Sequence, residues 1–229
     1  MIAFRAVFYL IGILLSISSV AMLIPLSVEL LIYHTSGWKG FAISSFLTGL
    51  VGTLLVLSNR SEGKTELRVR EAFLLTTFSW IATSLFAGLP FFWSSLSINF
   101  LDSWFESVSA LTTTGSTVLA HLNKVPKGIL LWRALLQWLG GTGIIVMAMT
   151  ILPILRIGGM QLFRNEFSDR SEKILPRLSQ IASAILSIYF VFTFTCAILL
   201  HLAGMEWFDA ICHAMCTVST GGLSTQDLS

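Results

Sequence analysis

Leu111-Thr112-Thr113-Thr114-Gly115-Ser116-Thr117 and Thr217-Val218-Ser219-Thr220-Gly221-Gly222-Leu223-Ser224 decide the fold. They fall in two charge-free stretches, 107–123 and 210–226, of 17 residues each, dense in Thr, Ser and Gly and too polar to face lipid. A helix of about eight to ten residues ahead of such a turn rises only about 12–15 Å, near half the hydrocarbon thickness. The chain must therefore turn back inside the membrane. Non-helical backbone is tolerated at that depth only where protein or a water-filled cavity surrounds it. Its freed carbonyls can then replace a cation's hydration shell. Glycine allows the backbone angles that aim successive carbonyls inward, and Thr hydroxyls add further oxygens. Each descending helix also points its negative dipole end at the site.

Outward from these turns lie longer apolar stretches, 6–28, 40–59, 72–101, 134–155 and 178–205, each free of charge and long enough to cross a bilayer. The first follows Arg5 and includes the small residues Ser19-Val20-Ala21, so a signal peptide is an alternative, but its 23 residues favour a retained helix. Composition agrees. The 229 residues are 55% hydrophobic and 11% charged, against roughly a quarter charged in soluble domains. A mean hydropathy of +0.82 excludes an ordinary soluble domain and a disordered chain. A net charge of +2 gives no sign of a nucleic-acid partner. The three cysteines, Cys196, Cys212 and Cys216, form no complete disulfide framework.

Threading alternate spans through the membrane places ten basic residues on one side, namely Arg5, Arg60, Lys64, Arg68, Arg70, Arg156, Arg164, Arg170, Lys173 and Arg177. Four fall on the other: Lys39, Lys124, Lys127 and Arg133. The positive-inside rule then puts the N-terminus in the cytoplasm and makes both Thr/Gly-rich stretches re-entrant from outside.

One plan is used twice, over 71–118 and 177–224: basic loop, long apolar helix, aromatic-acidic landmark, short helix, Thr/Ser-Gly turn. The landmarks are Trp104-Phe105-Glu106 and Trp207-Phe208-Asp209. Counted from each Trp, Gly115 is 11 residues on and Gly221 is 14, which predicts a second short helix longer by about one turn. Ser103-x-x-Glu106 reads as a capping box, with Asp102 and Glu106 complementing the positive helix end. Repeats in membrane proteins commonly place the functional site at their interface.

Further strings carry a family resemblance: Trp132-Arg133, Gln137-Trp138-Leu139-Gly140-Gly141-x-Gly143-Ile144, Leu152-Pro153-x-Leu155-Arg156-x-Gly158-Gly159-Met160-Gln161-Leu162-Phe163-Arg164, and Phe208-Asp209-Ala210-Ile211-Cys212-His213-Ala214. With the two turns, they resemble the TrkH/Ktr/HKT superfamily of potassium transporters, most closely the bacterial TrkH type, over essentially the whole chain. The resemblance implies an all-α membrane protein built from helix–pore loop–helix repeats around one ion path. It divides the chain into two N-terminal transmembrane helices (1–60), a first helix–pore loop–helix unit (61–165), and the first helix and pore loop of a second unit (166–229). Two further units should follow, so the chain looks like a fragment, and conduction by these 229 residues alone is not expected. The implied potassium filter is Thr112, Thr113, Thr114 and Gly115 with Val218, Ser219, Thr220 and Gly221. Relatives with serine at the first-unit glycine tend to pass sodium, and Gly115 therefore favours potassium. The resemblance also implies residence in the bacterial inner membrane, a homodimer in the full-length form, and a cytosolic nucleotide-binding regulatory subunit. Potassium is the transported ligand, and no cofactor is implied.

Rival readings are weaker. Gly140-Gly141-Thr142-Gly143 lies inside an apolar helix without the strand–turn–helix context of a nucleotide loop, so it reads as close helix packing. Cys212 and Cys216 share a helix face, but His213 points elsewhere and a fourth ligand is missing, so packing is the better reading. An enzyme would need intramembrane acid/base or nucleophile pairs, which the spans do not offer. A secondary carrier for sodium or a small solute is the alternative, since broken helices also build such sites.

Overall fold

A computed structural model describes residues 4–60, 69–96, 98–155 and 174–227. Among these, all regular structure is helical: α1 (Phe4–Leu31), α2 (Trp38–Asn59), α3 (Val69–Ala87), α4 (Leu89–Phe92), α5 (Phe100–Leu111), a 3₁₀ turn (Leu122–Lys124), α6 (Lys127–Leu155), α7 (Ile174–Leu202) and α8 (Trp207–Val218). Among the described residues, five segments are long and apolar enough to cross a membrane, Phe4–Leu31, Trp38–Asn59, Arg70–Phe92, Lys127–Ile145 and Ser183–Leu202. They correspond to the five apolar stretches of the sequence. α5 and α8 have 12 residues each, rising about 18 Å, too short to cross.

The stretch 72–101 does not form one helix. It breaks after Ala87, where Gly88 caps α4 and Pro90 lies in the first turn, a position that suits a residue without an amide hydrogen. A Cβ on Gly88 would lie 3.2 Å from the Ser103 carbonyl oxygen, so the break also lets α5 approach closely.

α1 and α2 form a hairpin joined by small residues. A Cβ on Gly12 would lie 2.8 Å from the Gly52 carbonyl oxygen, and one on Gly49 would lie 2.8 Å from Ser19 Oγ. Ser19 Oγ donates to the Ser45 carbonyl at 2.7 Å, and Ser45 Oγ donates back to the Ser19 carbonyl at 2.9 Å. Such close backbone approach and reciprocal hydrogen bonding hold helices together where lipid supplies no hydrophobic drive. The outer faces, including Val20, Leu23, Phe46, Leu54 and Leu57, are exposed.

One end of the bundle gathers the starts of both short helices. The Glu29 carboxylate near the end of α1 accepts the Gly128 amide at the start of α6, and Tyr33 meets Phe208 of α8 edge to face at 6.1 Å. Phe92 meets Phe100, the first residue of α5, at 5.9 Å, and the backbone at Trp93 closes on Gly40 of α2. α5 and α8 thus enter from the same end, as the re-entrant reading requires. α6 runs through the middle, where residues 128–137 are all buried. A helix apolar on every side belongs inside, and that burial is what makes its two polar side chains, Arg133 and Gln137, informative. The sequence count placed Arg133 in an outer loop and ended the first apolar stretch before Glu29. Both instead lie within membrane-length helices and are buried.

Lys64, Arg68, Arg156, Arg164, Arg170 and Lys173 of the basic loops, and Arg156-x-Gly158-Gly159-Met160-Gln161-Leu162-Phe163-Arg164, lie outside the described residues.

Candidate functional site: two matched turns held by one helix

The two short helices end in the same hydrogen-bonded turn. After α5, the amides of Thr112, Thr113 and Thr114 donate to the carbonyls of Val108, Ala110 and Ser109. After α8, those of Ser219, Thr220 and Gly221 donate to Met215, Thr217 and Cys216. The two sets superimpose residue for residue, and each is the Schellman arrangement that closes a helix with one left-handed residue. Thr113 (φ 56°) and Thr220 (φ 55°) are those residues, followed two positions later by Gly115 (φ 80°) and Gly222 (φ 79°). A left-handed β-branched residue where glycine is the usual choice is strained, and strain of this kind clusters at functional sites.

This geometry corrects the register of the repeat. Both helices have 12 residues, so the second is not longer by a turn. Trp207 opens α8, whereas Trp104 is the fifth residue of α5, and Phe100-Leu101-Asp102 is the true counterpart of Trp207-Phe208-Asp209. The counterparts of Thr112, Thr113, Thr114 and Gly115 are Ser219, Thr220, Gly221 and Gly222. Val218 is the last residue of α8 and matches Leu111, while Gly222, quoted with the second turn, stood outside the implied filter set. The shared Thr-x-Gly spacing, Thr113-x-Gly115 and Thr220-x-Gly222, was the signal available for it.

The turns meet each other and α6. Gly115 could carry no side chain, because a Cβ there would overlap the Gly221 carbonyl oxygen. That oxygen accepts from Gln137 Nε2 at 2.7 Å, and Gln137 Oε1 accepts the Leu223 amide at 3.3 Å. One helical turn earlier, Arg133 Nη2 donates to Thr117 Oγ1 at 2.9 Å and Nη1 to the Ser224 carbonyl at 3.3 Å. Its Nε lies 3.1 Å from Glu106 Oε1, in an ion pair with side-chain exposures of 2% and 0%. Glu106 also accepts from Thr117 Oγ1 and the Val118 amide. Glu106 therefore closes no capping box. The N-cap of α5 is Asn99, and Ser103 Oγ turns back to the Asn99 carbonyl at 2.9 Å. Asp102 does lie in the first turn.

Gly140 and Gly141 pack as the sequence suggests. A Cβ on Gly140 would overlap the Leu111 carbonyl oxygen at the end of α5, and one on Gly141 would lie 3.1 Å from Ser219 Cβ at the end of α8. The pair lets α6 touch both helix ends. Cys212 and Cys216 are buried, and His213 Nε2 lies 3.3 Å from Thr225 Oγ1. Thr112, Thr114, Thr220 and Gly222 are exposed at the turns.

An all-helical, multi-pass membrane protein with two half-length helices closing in matched polar turns is the class these elements define. Residues 38–229 match the TrkH family of cation transport proteins, and the chain belongs to that family. It is 42% identical over 229 residues to the Trk system potassium uptake protein TrkH of Escherichia coli (strain K12), covering 99% of this chain and 47% of that one. It is 48% identical over 164 residues to the Trk system potassium uptake protein TrkI of Halomonas elongata, covering 72% of this chain and 33% of that one. The crystal structure of the potassium transporter TrkH from Vibrio parahaemolyticus superposes with a TM-score of 0.86 at 40% identity, covering 99% of this chain and 45% of that one. The chain thus spans about half the length of the relatives it matches.

Proposed function

We propose that this chain supplies two of the turns that line a potassium path across a bacterial cytoplasmic membrane. The observation that carries the reading is the abutment of the two left-handed turns, Gly115 against the Gly221 carbonyl, at the ends of two half-length helices. Backbone oxygens held in this way, with the hydroxyls of Thr112, Thr113, Thr114, Ser219 and Thr220, offer a dehydrated monovalent cation a set of neutral ligands. Val218 ends the helix above the second set, and Gly222 extends it. Negative helix ends of α5 and α8 favour positive charge at the same place. The relatives are potassium uptake proteins, which supports potassium as the cargo.

The same reading divides the chain into two leading helices (1–60), a first unit (61–165) and part of a second (166–229). It places the N-terminus in the cytoplasm. Burial of Arg133 in an ion pair leaves Lys39, Lys124 and Lys127 as the outer basic residues, which sharpens the asymmetry on which that orientation rests. A homodimer and a cytosolic nucleotide-binding partner docking on the basic face complete the proposal, and the word "system" in the relatives' names supports a multi-component assembly. The protein has no enzymatic role or cofactor in this reading.

Uptake of radioactive rubidium in potassium-uptake-deficient bacteria carrying the native gene, rather than these 229 residues alone, tests it. Saturable uptake, competed by potassium and not by small organic solutes, is expected. Uptake of sodium or of an organic solute in preference to rubidium would overturn it.

A further inference from the structure

Gln137 belongs to α6, in the first unit, yet both partners of its amide lie in the second turn. The residue is fully buried. One amide orientation satisfies both bonds: the nitrogen must face the Gly221 carbonyl and the oxygen the Leu223 amide. The sequence also makes room for it. Gly221 is not in the left-handed region, unlike Gly115 and Gly222, so its own backbone does not call for glycine. A Cβ there would overlap the Gln137 amide carbon and oxygen, and the close seat of Gln137 is what calls for it. The carbonyl that Gln137 holds is the one lying against Gly115.

We propose that Gln137 is a positioning residue which holds the second unit's turn at a fixed spacing from the first, and so favours a larger monovalent cation over a smaller one. Arg133, one helical turn away, reaches Thr117 and Ser224 and ties the same two segments from a second point. With the clamp released, the Gly221 carbonyl is free to close on a smaller ion, and discrimination falls. The inference rests on the cation-path reading.

The test compares Gln137→Ala and Gln137→Glu with Gly115→Ser, each introduced into the native gene, by potassium-to-sodium uptake ratio at matched membrane accumulation. Gln137→Glu keeps an acceptor for the Leu223 amide and loses the donor to Gly221. Both Gln137 variants are expected to lower the ratio about tenfold, equivalent to about 1.4 kcal/mol of discrimination. If Gln137→Ala fails to accumulate, the near-isosteric Gln137→Glu decides. Equal loss of both ions, leaving the ratio unchanged while Gly115→Ser shifts it, would reduce Gln137 to a fold residue and overturn the inference. An unchanged ratio in all three variants would overturn the cation-path reading itself.

Discussion

The two turns share a backbone and differ in what holds them. Behind the first, Glu106 and Arg133 form a buried ion pair, and Glu106 grips the outgoing segment at Thr117 and Val118. At the equivalent place behind the second stands His213, whose ring reaches the Thr225 hydroxyl. The second turn's firmest partner is instead the neutral amide of Gln137, which comes from α6. The first turn is thus braced largely by the buried ion pair, and the second mainly by the neutral amide of Gln137, with one further bond from Arg133 to the Ser224 carbonyl. A repeat preserves the backbone geometry at a site while each copy finds its own way to satisfy the polar groups behind it.

The largest difference should appear when each brace is cut. Arg133→Ala leaves the Glu106 carboxylate buried and uncompensated, which typically costs about 3–5 kcal/mol. His213→Ala removes one hydrogen bond, worth about 1 kcal/mol. Thermal unfolding in detergent should place the Arg133 variant far below the His213 variant, and equal losses would erase the distinction between the turns.

Glycine packing gives the next effect. Gly140→Ala overlaps the Leu111 backbone, which cannot step aside, whereas Gly141→Ala meets the mobile Tyr189 hydroxyl at 2.8 Å and the Ser219 Cβ and Cα only at 3.1 and 3.3 Å, where a few tenths of an ångström suffice. Overpacking of this kind costs about 1–3 kcal/mol, with the larger loss expected at Gly140. A larger loss at Gly141 would show that α6 presses harder on the second helix end than on the first.

Gly221 and Gly222 separate by coupling. Gly221→Ala should lose stability in the native background and recover much of it when Gln137→Ala vacates the space, an interaction of about 0.5–3 kcal/mol in a double-mutant cycle. Gly222→Ala has no neighbour within 4 Å and should show no coupling to Gln137, its loss coming from the left-handed φ alone. Coupling at Gly222 would contradict the register drawn here.

The smallest effect concerns Thr113 and Thr220. Replacing either with Gly relieves a left-handed β-branched residue but adds freedom to the unfolded chain, so stability should rise by less than about 1 kcal/mol. Uptake should fall in both variants, because the hydroxyl is lost. Higher uptake together with higher stability would show that the strain serves no purpose.

The spans, the half-length helices and the packing role of Gly140 and Gly141 were legible because apolar length and small-residue patterns are local properties. The register of the repeat was not. Trp104 and Trp207 are conspicuous but occupy different positions in their helices, while the marks that do correspond, Asp102 with Asp209 and Thr113 with Thr220, are common residues. Glu106 passed for a cap and Arg133 for a loop charge because a window along the chain treats any charge as exposed. Their burial depends on each other and on Thr117, and only the assembled fold brings those three together. Gln137 stood out only as part of a family string, and nothing local marked its role, since both of its partners lie more than eighty residues further on.

The central claim, on the proposed cation-path reading, is that the abutting turns select the ion. Gly115→Ser addresses it most directly: a side chain there would strain a left-handed backbone by about 1–3 kcal/mol and press on the Gly221 carbonyl. Tenfold selectivity is only about 1.4 kcal/mol, so discrimination can vanish while the long apolar helices keep the protein inserted. The measurement is the potassium-to-sodium uptake ratio at matched membrane accumulation. A marked fall for Gly115→Ser, with insertion retained, is the expected result. An unchanged ratio, with Gly140→Ser lowering it instead, would move selection away from the turns and contradict the claim.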